Sequence, residues 1–271
     1  MSSNRKLALA ATVYLLDAGL WTVFSFDWLQ PIGIALMIHL GTGPLHAFMQ
    51  QIGTKAWSAL WSMMLTGVGE GFLPLALYVL VARPSRFSSL LGRRANPWLA
   101  VLLAGATIVG IVVWASLRHS PFDLTSAVFL VGFLGIVGTS EEWSYRGVLM
   151  RILTDRIGLI GAAVAVNVAF GLAHIQEVLA SGTPFGSAPF WTVLTVDTFL
   201  GFLLTWVAWR SGSILWAATI HGLWDWLPFA VSTSNMLFVL VLVLVALVGS
   251  ELLRRSHTSV HPATARSQFV Q

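Results

Sequence analysis

The stretch Phe129-Leu130-Val131-Gly132-Phe133-Leu134-Gly135-Ile136-Val137-Gly138-Thr139-Ser140-Glu141-Glu142-Trp143-Ser144-Tyr145-Arg146-Gly147 starts as an apolar run and ends on two adjacent carboxylates and an arginine. Its first half reads as lipid-facing helix. In that setting a buried charge costs roughly 2.5–3.5 kcal/mol on insertion scales. Three ionisable groups set so close together need a reason, and the reason expected is chemistry.

The apolar pattern of this stretch repeats along the chain. Of 271 residues, 56% are hydrophobic and 10% charged, and the mean hydropathy is +0.80. A soluble domain carries about 25% charged residues. Candidate spans cover 7–26, 29–49, 57–82, 97–117, 124–145, 157–180, 190–209, 213–231 and 236–253. Each is close to the roughly 20 residues that cross a hydrocarbon core of about 30 Å. Lipid offers the backbone no hydrogen-bond partners, so such spans must be helices packed on helices. The fold class is therefore all-α, a polytopic transmembrane helical bundle.

The charges assign sides. Arg83, Arg86, Arg93 and Arg94 share one connection, Arg151 and Arg156 another, Arg210 a third, and Arg254-Arg255 follow the last span. The intervening connections 118–123, 181–189 and 232–235 hold one arginine, Arg118. By the positive-inside rule the basic loops and the C-terminal tail face the cytoplasm. The net charge of +4 is thus topology information and gives no sign of a nucleic-acid partner. Residues 29–49 are interrupted by Gln30-Pro31, His39 and Gly41-Thr42-Gly43-Pro44, which suits a re-entrant piece. About eight spans with both ends cytoplasmic is the expected count, with nine as the alternative. The run from Leu7 to Phe26 has no small-residue cleavage site and reads as a retained anchor, not a signal peptide. There are no cysteines, so disulfides, thiolate nucleophiles and Cys-ligated metals are excluded. Lys6 and Lys55 are the only lysines, and the arginine bias points to a GC-rich prokaryotic genome and its plasma membrane.

Three constellations carry candidate chemistry. On a helix, Glu142 and Arg146 are four apart and share a face, while Glu141 points about 100° away. Arg146 can then neutralise Glu142, and Glu141 is left to act as a general base toward water. The bland alternative is a solvated helix end with one ion pair. Next, Phe170-Gly171-Leu172-Ala173-His174 lies late in span 157–180, among the small residues Gly161, Ala162, Ala163, Ala165 and Ala169. Small residues let a neighbouring helix approach closely, so His174 faces the bundle. Glu177, three residues on, is placed to fix the tautomer of His174. Last, His221-Gly222-Leu223-Trp224-Asp225 sets a histidine and an aspartate one turn apart on one face of span 213–231. An aspartate there must be paired or wetted. Glu, His, His and Asp from three helices can polarise water and a carbonyl directly, or hold a metal that does so. Hydrolysis of an acyl bond is the reaction such a cluster suits. Asp197, Glu70 and Asp17 also fall in spans, and Asp197 ranks first among them as a lining residue.

Glu-Glu-x-x-x-Arg, then Phe-x-x-x-His, then His-x-x-x-Asp/Asn resembles the motif trio of the CPBP intramembrane proteases, the ABI or type II CAAX prenyl endopeptidase family. Here it reads Glu141-Glu142…Arg146, Phe170…His174 and His221…Asp225. The resemblance covers about residues 97–231. It implies an eight-helix membrane endopeptidase whose cavity opens to the cytosol and whose partners are the bilayer and a peptide or membrane-protein substrate. By the same resemblance Glu141 activates water with His174 assisting. His221 and Asp225 bind the oxyanion or complete a metal site, with Glu142, Arg146 and Glu177 in support. Asp225 stands where prenyl-processing members have asparagine. An aspartate repels an oxyanion unless protonated or metal-bound, which favours a protonated acid or a divalent metal such as Zn²⁺ at His174, His221 and Asp225.

The expected organisation is a variable N-terminal transmembrane region over 1–96, a catalytic core over 97–231, a last transmembrane helix over 232–255 and a disordered cytoplasmic tail over 256–271. A non-proteolytic scaffold or immunity protein is a second reading. A scaffold, however, has no need to bury an uncompensated Glu or Asp. A proton-coupled transporter is a third, and the lack of internal symmetry speaks against it.

Overall fold

Local sequence signals set the boundaries of the helices. The computed structural model describes residues 3–25, 73–82, 96–118, 124–230 and 236–260, with isolated positions between 47 and 67. The elements are α1 (Ser3–Ser25), α2 (Leu73–Ala82), α3 (Pro97–Arg118), α4 (Leu124–Gly132), α5 (Gly138–Glu142), α6 (Met150–Ala180), α7 (Ala188–Ser211), α8 (Ile214–Ala230) and α9 (Met236–Val260). Asn96 caps α3: its Oδ1 accepts from the Trp98 and Leu99 amides at 3.1 and 3.4 Å. Pro97 then occupies the first helical position, where no amide hydrogen is needed. At the far end of α7, Gly212 adopts φ 66° and its amide donates to the Ala208 carbonyl at 3.0 Å. Ser213 Oγ in turn accepts from the Trp216 amide at 3.2 Å. A left-handed glycine followed by a serine cap reverses the chain in two residues, so α8 returns directly against α7.

The run from α4 into α6 is not a plain α-helix. Two π-helical segments, Phe133–Val137 and Trp143–Leu149, flank the five residues of α5. Thr139 Oγ1 donates to the Leu134 carbonyl at 2.9 Å, five residues back. Each π segment inserts extra residues into the helical register, a feature found mostly at functional sites. Within α6, Gly158 breaks the helix with φ 73° and ψ 170°, a conformation that glycine adopts without penalty.

The centre of the bundle is α8. Trp216, Ala217, Ile220, His221 and Leu223 have no exposed surface, so this helix is enclosed over most of its circumference. Its partners in one core are α3, α7 and α9, through Leu204, Val207, Phe238, Leu242 and Ala246. A second core joins α1, α2 and α6 through Val13, Tyr78, Ala162, Val166 and Phe170. Facing outward instead are Leu102 and Val109 on α3, Ile160 on α6, Phe199 on α7 and Leu240 and Leu244 on α9. An outer surface this apolar is what a helical membrane bundle presents to lipid.

Backbone contact between α5 and α8 is permitted by glycine. A Cβ on Gly222 would lie 2.5 Å from the Phe133 carbonyl oxygen and 2.7 Å from Leu134 Cα; one on Gly138 would lie 2.7 Å from the Ala218 oxygen. Gly222→Ala must therefore push α8 away, and overpacking of this kind costs about 1–3 kcal/mol. We expect a lower thermal unfolding midpoint in detergent for Gly222→Ala. Gly105→Ala on α3, where nothing lies within 4 Å, should not lower the midpoint, since alanine is the better helix former.

The described helices match the expected helical bundle. Three segments, Pro97–Leu117, Leu124–Ala180 and Ala188–Ser211, are long and apolar enough to cross a membrane. The spans read separately as 124–145 and 157–180 are one helical run interrupted at Gly158, because the segment between them stays helical. Helix α9 continues to Val260. It thus takes in the first residues assigned to the tail, while 261–271 lie outside the described residues. So do the re-entrant piece 29–49, most of 57–72, the basic loop 83–95 and Glu70, and with them the choice between eight and nine spans. The Asp17 side chain is likewise outside the description. At the ends of α7 and α9, Arg210, Arg254 and Arg255 converge on Glu251 at 2.9, 2.5 and 2.9 Å, tying the two helices together.

Candidate active site

Three helices bring their polar groups to one place. Glu141 and Glu142 come from α5, His174 from α6, and His221 and Asp225 from α8. The glutamates diverge, as their neighbouring positions on a helix require, and His221 sits between them. Its Nδ1 is 3.0 Å from Glu142 Oε1, and its Nε2 is 3.6 Å from Glu141 Oε2 and 3.5 Å from Asp225 Oδ2. His174 Nε2 faces the same Glu141 oxygen at 3.7 Å. All four residues named from the sequence as catalytic are thus juxtaposed.

Tautomers follow from the partners. His174 Nδ1 lies 2.9 Å from the Phe170 carbonyl, which can only accept, so Nδ1 carries the proton and Nε2 faces Glu141. The same reasoning applies to His221, because the Glu142 carboxylate also accepts. Phe170 holds both rings from below. Its ring centroid is 4.5 Å from that of His174 and 5.5 Å from that of His221, and Tyr145 meets it edge-on at 5.0 Å. The Arg146 guanidinium lies 4.5 Å above the same ring.

The pair Glu142–Arg146 forms as the spacing predicted, with Nη1 to Oε1 at 2.9 Å, and it is fully enclosed. Arg146 Nη2 also donates to Asn167 Oδ1 at 3.3 Å and to the Gly201 carbonyl at 3.0 Å, and Thr205 Oγ1 donates to the same Asn167 oxygen at 3.0 Å. Burying an ion pair is tolerable only when further hydrogen bonds satisfy it. Asn167, Gly201 and Thr205 escaped the sequence reading. The signal was there for one of them: Asn167 is a polar residue in an apolar span, two turns before His174 and on its face.

Exposure is graded across the cluster. The Glu141 and His221 side chains are sealed, whereas His174 keeps 13% and Asp225 23% of its surface open. His174 and Asp225 are thus the members of the cluster nearest the surface. Trp226 Nε1 donates to the Ser126 carbonyl on α4 at 3.1 Å, which anchors the end of α8 that carries Asp225. Asp197 on α7 lies within electrostatic reach of His174, His221 and Asp225. The Glu177 side chain lies outside the described residues, and the Phe170 carbonyl orients His174. Among the described residues no group of three or more His, Asp or Glu side chains has the arrangement of a metal site.

Residues 122–227, which include every member of this cluster, match the family model of the type II CAAX prenyl endopeptidase Rce1-like proteins. No curated protein and no solved structure matches the chain. The matched segment runs from just before α4 into α8, the same helices that build the cluster, and the match supports the Rce1-like, or CPBP, family for this part of the chain.

Proposed function

We propose that this protein is an intramembrane endopeptidase that hydrolyses a peptide bond of a peptide or membrane-protein substrate near the cytoplasmic leaflet. The observation that carries the reading is the convergence of two imidazole Nε2 atoms on one carboxylate oxygen of Glu141, at 3.7 and 3.6 Å, inside an apolar bundle.

In the mechanism, water enters past His174 and is held by Glu141 and His174 Nε2. Glu141 takes a proton from it as the oxygen adds to the scissile carbonyl. One proton shared between His221 Nε2 and Asp225 Oδ2 is donated to the carbonyl oxygen as it becomes negative. This resolves the conflict between an aspartate and an oxyanion, and donors aimed at the developing charge are the largest single contributor in such reactions. Collapse of the tetrahedral intermediate re-forms the carbonyl, gives that proton back to the His221–Asp225 pair and breaks the C–N bond, while Glu141 passes the proton taken from water to the departing amine. Glu142 keeps His221 in the tautomer that presents Nε2.

The test uses purified protein in detergent, with a quenched-fluorescence peptide bearing a farnesylated CAAX terminus and a set of unmodified peptides, with and without a chelator. Wild-type protein should cleave at least one, and His221→Ala should lower turnover by about 10²–10³-fold, the range for losing one oxyanion donor. His174→Ala is expected to lose activity in the same direction. Equal turnover by wild-type protein and His221→Ala would exclude this assignment. Sensitivity to the chelator reports on a bound divalent ion in the same experiment.

A further inference from the structure

Asn167 is buried without exposed surface. Its Oδ1 accepts from Arg146 Nη2 and from Thr205 Oγ1, and a guanidinium can only donate, so the orientation of the amide is determined by chemistry. Among the described residues its Nδ2 has no hydrogen-bond partner. A residue present only to fill space between α6 and α7 would be apolar, since a buried amide donor without a partner is unfavourable. The oxygen is therefore the part of the side chain that matters. Gly201 leaves room for it: a Cβ there would lie 2.9 Å from Asn167 Oδ1 and 3.2 Å from Arg146 Nη2.

The hydrogen bonds form one line from this oxygen to the reacting groups. Thr205 and Asn167 hold Arg146 Nη2, Arg146 Nη1 holds Glu142 Oε1, and Glu142 Oε1 holds His221 Nδ1. The guanidinium is planar, so restraining Nη2 also sets the direction of Nη1. We propose that Asn167, backed by Thr205, is a positioning residue for His221, acting through Arg146 and Glu142 to keep the proton on Nδ1 and Nε2 turned to Glu141 and Asp225. The kinetic part of this inference rests on the endopeptidase reading; the tautomer part does not.

Two readouts separate those cases. With ¹⁵N-histidine-labelled protein in nanodiscs, His221 is assigned by the resonances lost in His221→Gln. Wild-type protein should show a protonated Nδ1, and Asn167→Leu, which keeps the volume and removes the oxygen, should show a mixture of tautomers. With the farnesylated CAAX peptide, Asn167→Leu should lower kcat by about 10–100-fold, the usual effect of losing an outer partner of a functional histidine, with KM within about threefold. Asn167→Asp keeps the accepting oxygen and should recover most of kcat and the wild-type tautomer. A folded Asn167→Leu protein with the wild-type His221 spectrum overturns the proposal, as does an equal loss in Asn167→Leu and Asn167→Asp. Should Asn167→Leu not fold, Thr205→Val against Thr205→Ser repeats the comparison: loss with valine and recovery with serine support it, and equal behaviour overturns it. Absence of cleavage by wild-type protein counts against the endopeptidase reading, and the spectra still decide the positioning role.

Discussion

Glu141→Gln should leave the protein folded and reduce peptide turnover by about 10²–10⁴-fold, the range attributed to a single general base. The substitution preserves shape and removes only the ability to accept a proton. Glu141 is 1% exposed and stands between two histidine Nε2 atoms, so an amide there disturbs packing little. An unfolding midpoint close to wild type, together with lost turnover, is the expected pair of measurements. Normal turnover in Glu141→Gln would mean that another group activates the water. The comparison with Glu142→Gln sharpens the point. Glu142 is held by Arg146 and His221 Nδ1, so its loss weakens both stability and rate and cannot spare the midpoint.

Arg146→Ala should chiefly damage the fold. Its side chain is 2% exposed and supplies hydrogen bonds to Glu142, Asn167 and the Gly201 carbonyl, with its guanidinium over the Phe170 ring. Removing one member of a buried ion pair costs about 3–5 kcal/mol, because the remaining charge is left in low dielectric. The expected outcome is poor recovery from detergent extraction, or a strongly lowered unfolding midpoint. Adding Glu142→Gln to Arg146→Ala removes the stranded charge and should restore part of the stability. It should not restore turnover, because His221 Nδ1 would then face an amide. A well-folded but inactive Arg146→Ala protein would contradict the structural role and place the arginine in the chemistry.

The charged members of the site were legible because membrane interiors make them conspicuous. A carboxylate or imidazole in an apolar span is unfavourable unless it has a partner or a task, so Glu141, His174, His221 and Asp225 stand out as a set, where each motif alone is a weak signal. Helical spacing also foretold the Glu142–Arg146 pair, which forms at 2.9 Å even though the chain enters a π-helical segment after Glu142. The second function of Glu142 was hidden. Spacing along one helix says nothing about a histidine 79 residues away on another helix, and His221 Nδ1 proves to be its neighbour. Phe170 was visible only as a motif letter. Its role as the platform under His174, His221 and Arg146 depends on three elements meeting at one ring.

The amino-acid sequence alone determined the class of solvent, the all-helical architecture and the identity of the polar groups, since each follows from local hydropathy and from the cost of burying charge. The tertiary structure alone decided which groups meet. It set the α5–α8 contact through Gly138 and Gly222, the placement of His221 between Glu141 and Glu142, and the Asn167 and Gly201 clamp on Arg146. The physical reason is range. Solvent preference and helix periodicity act over a few residues, whereas the partner of a buried hydrogen-bonding group is chosen by how whole helices pack.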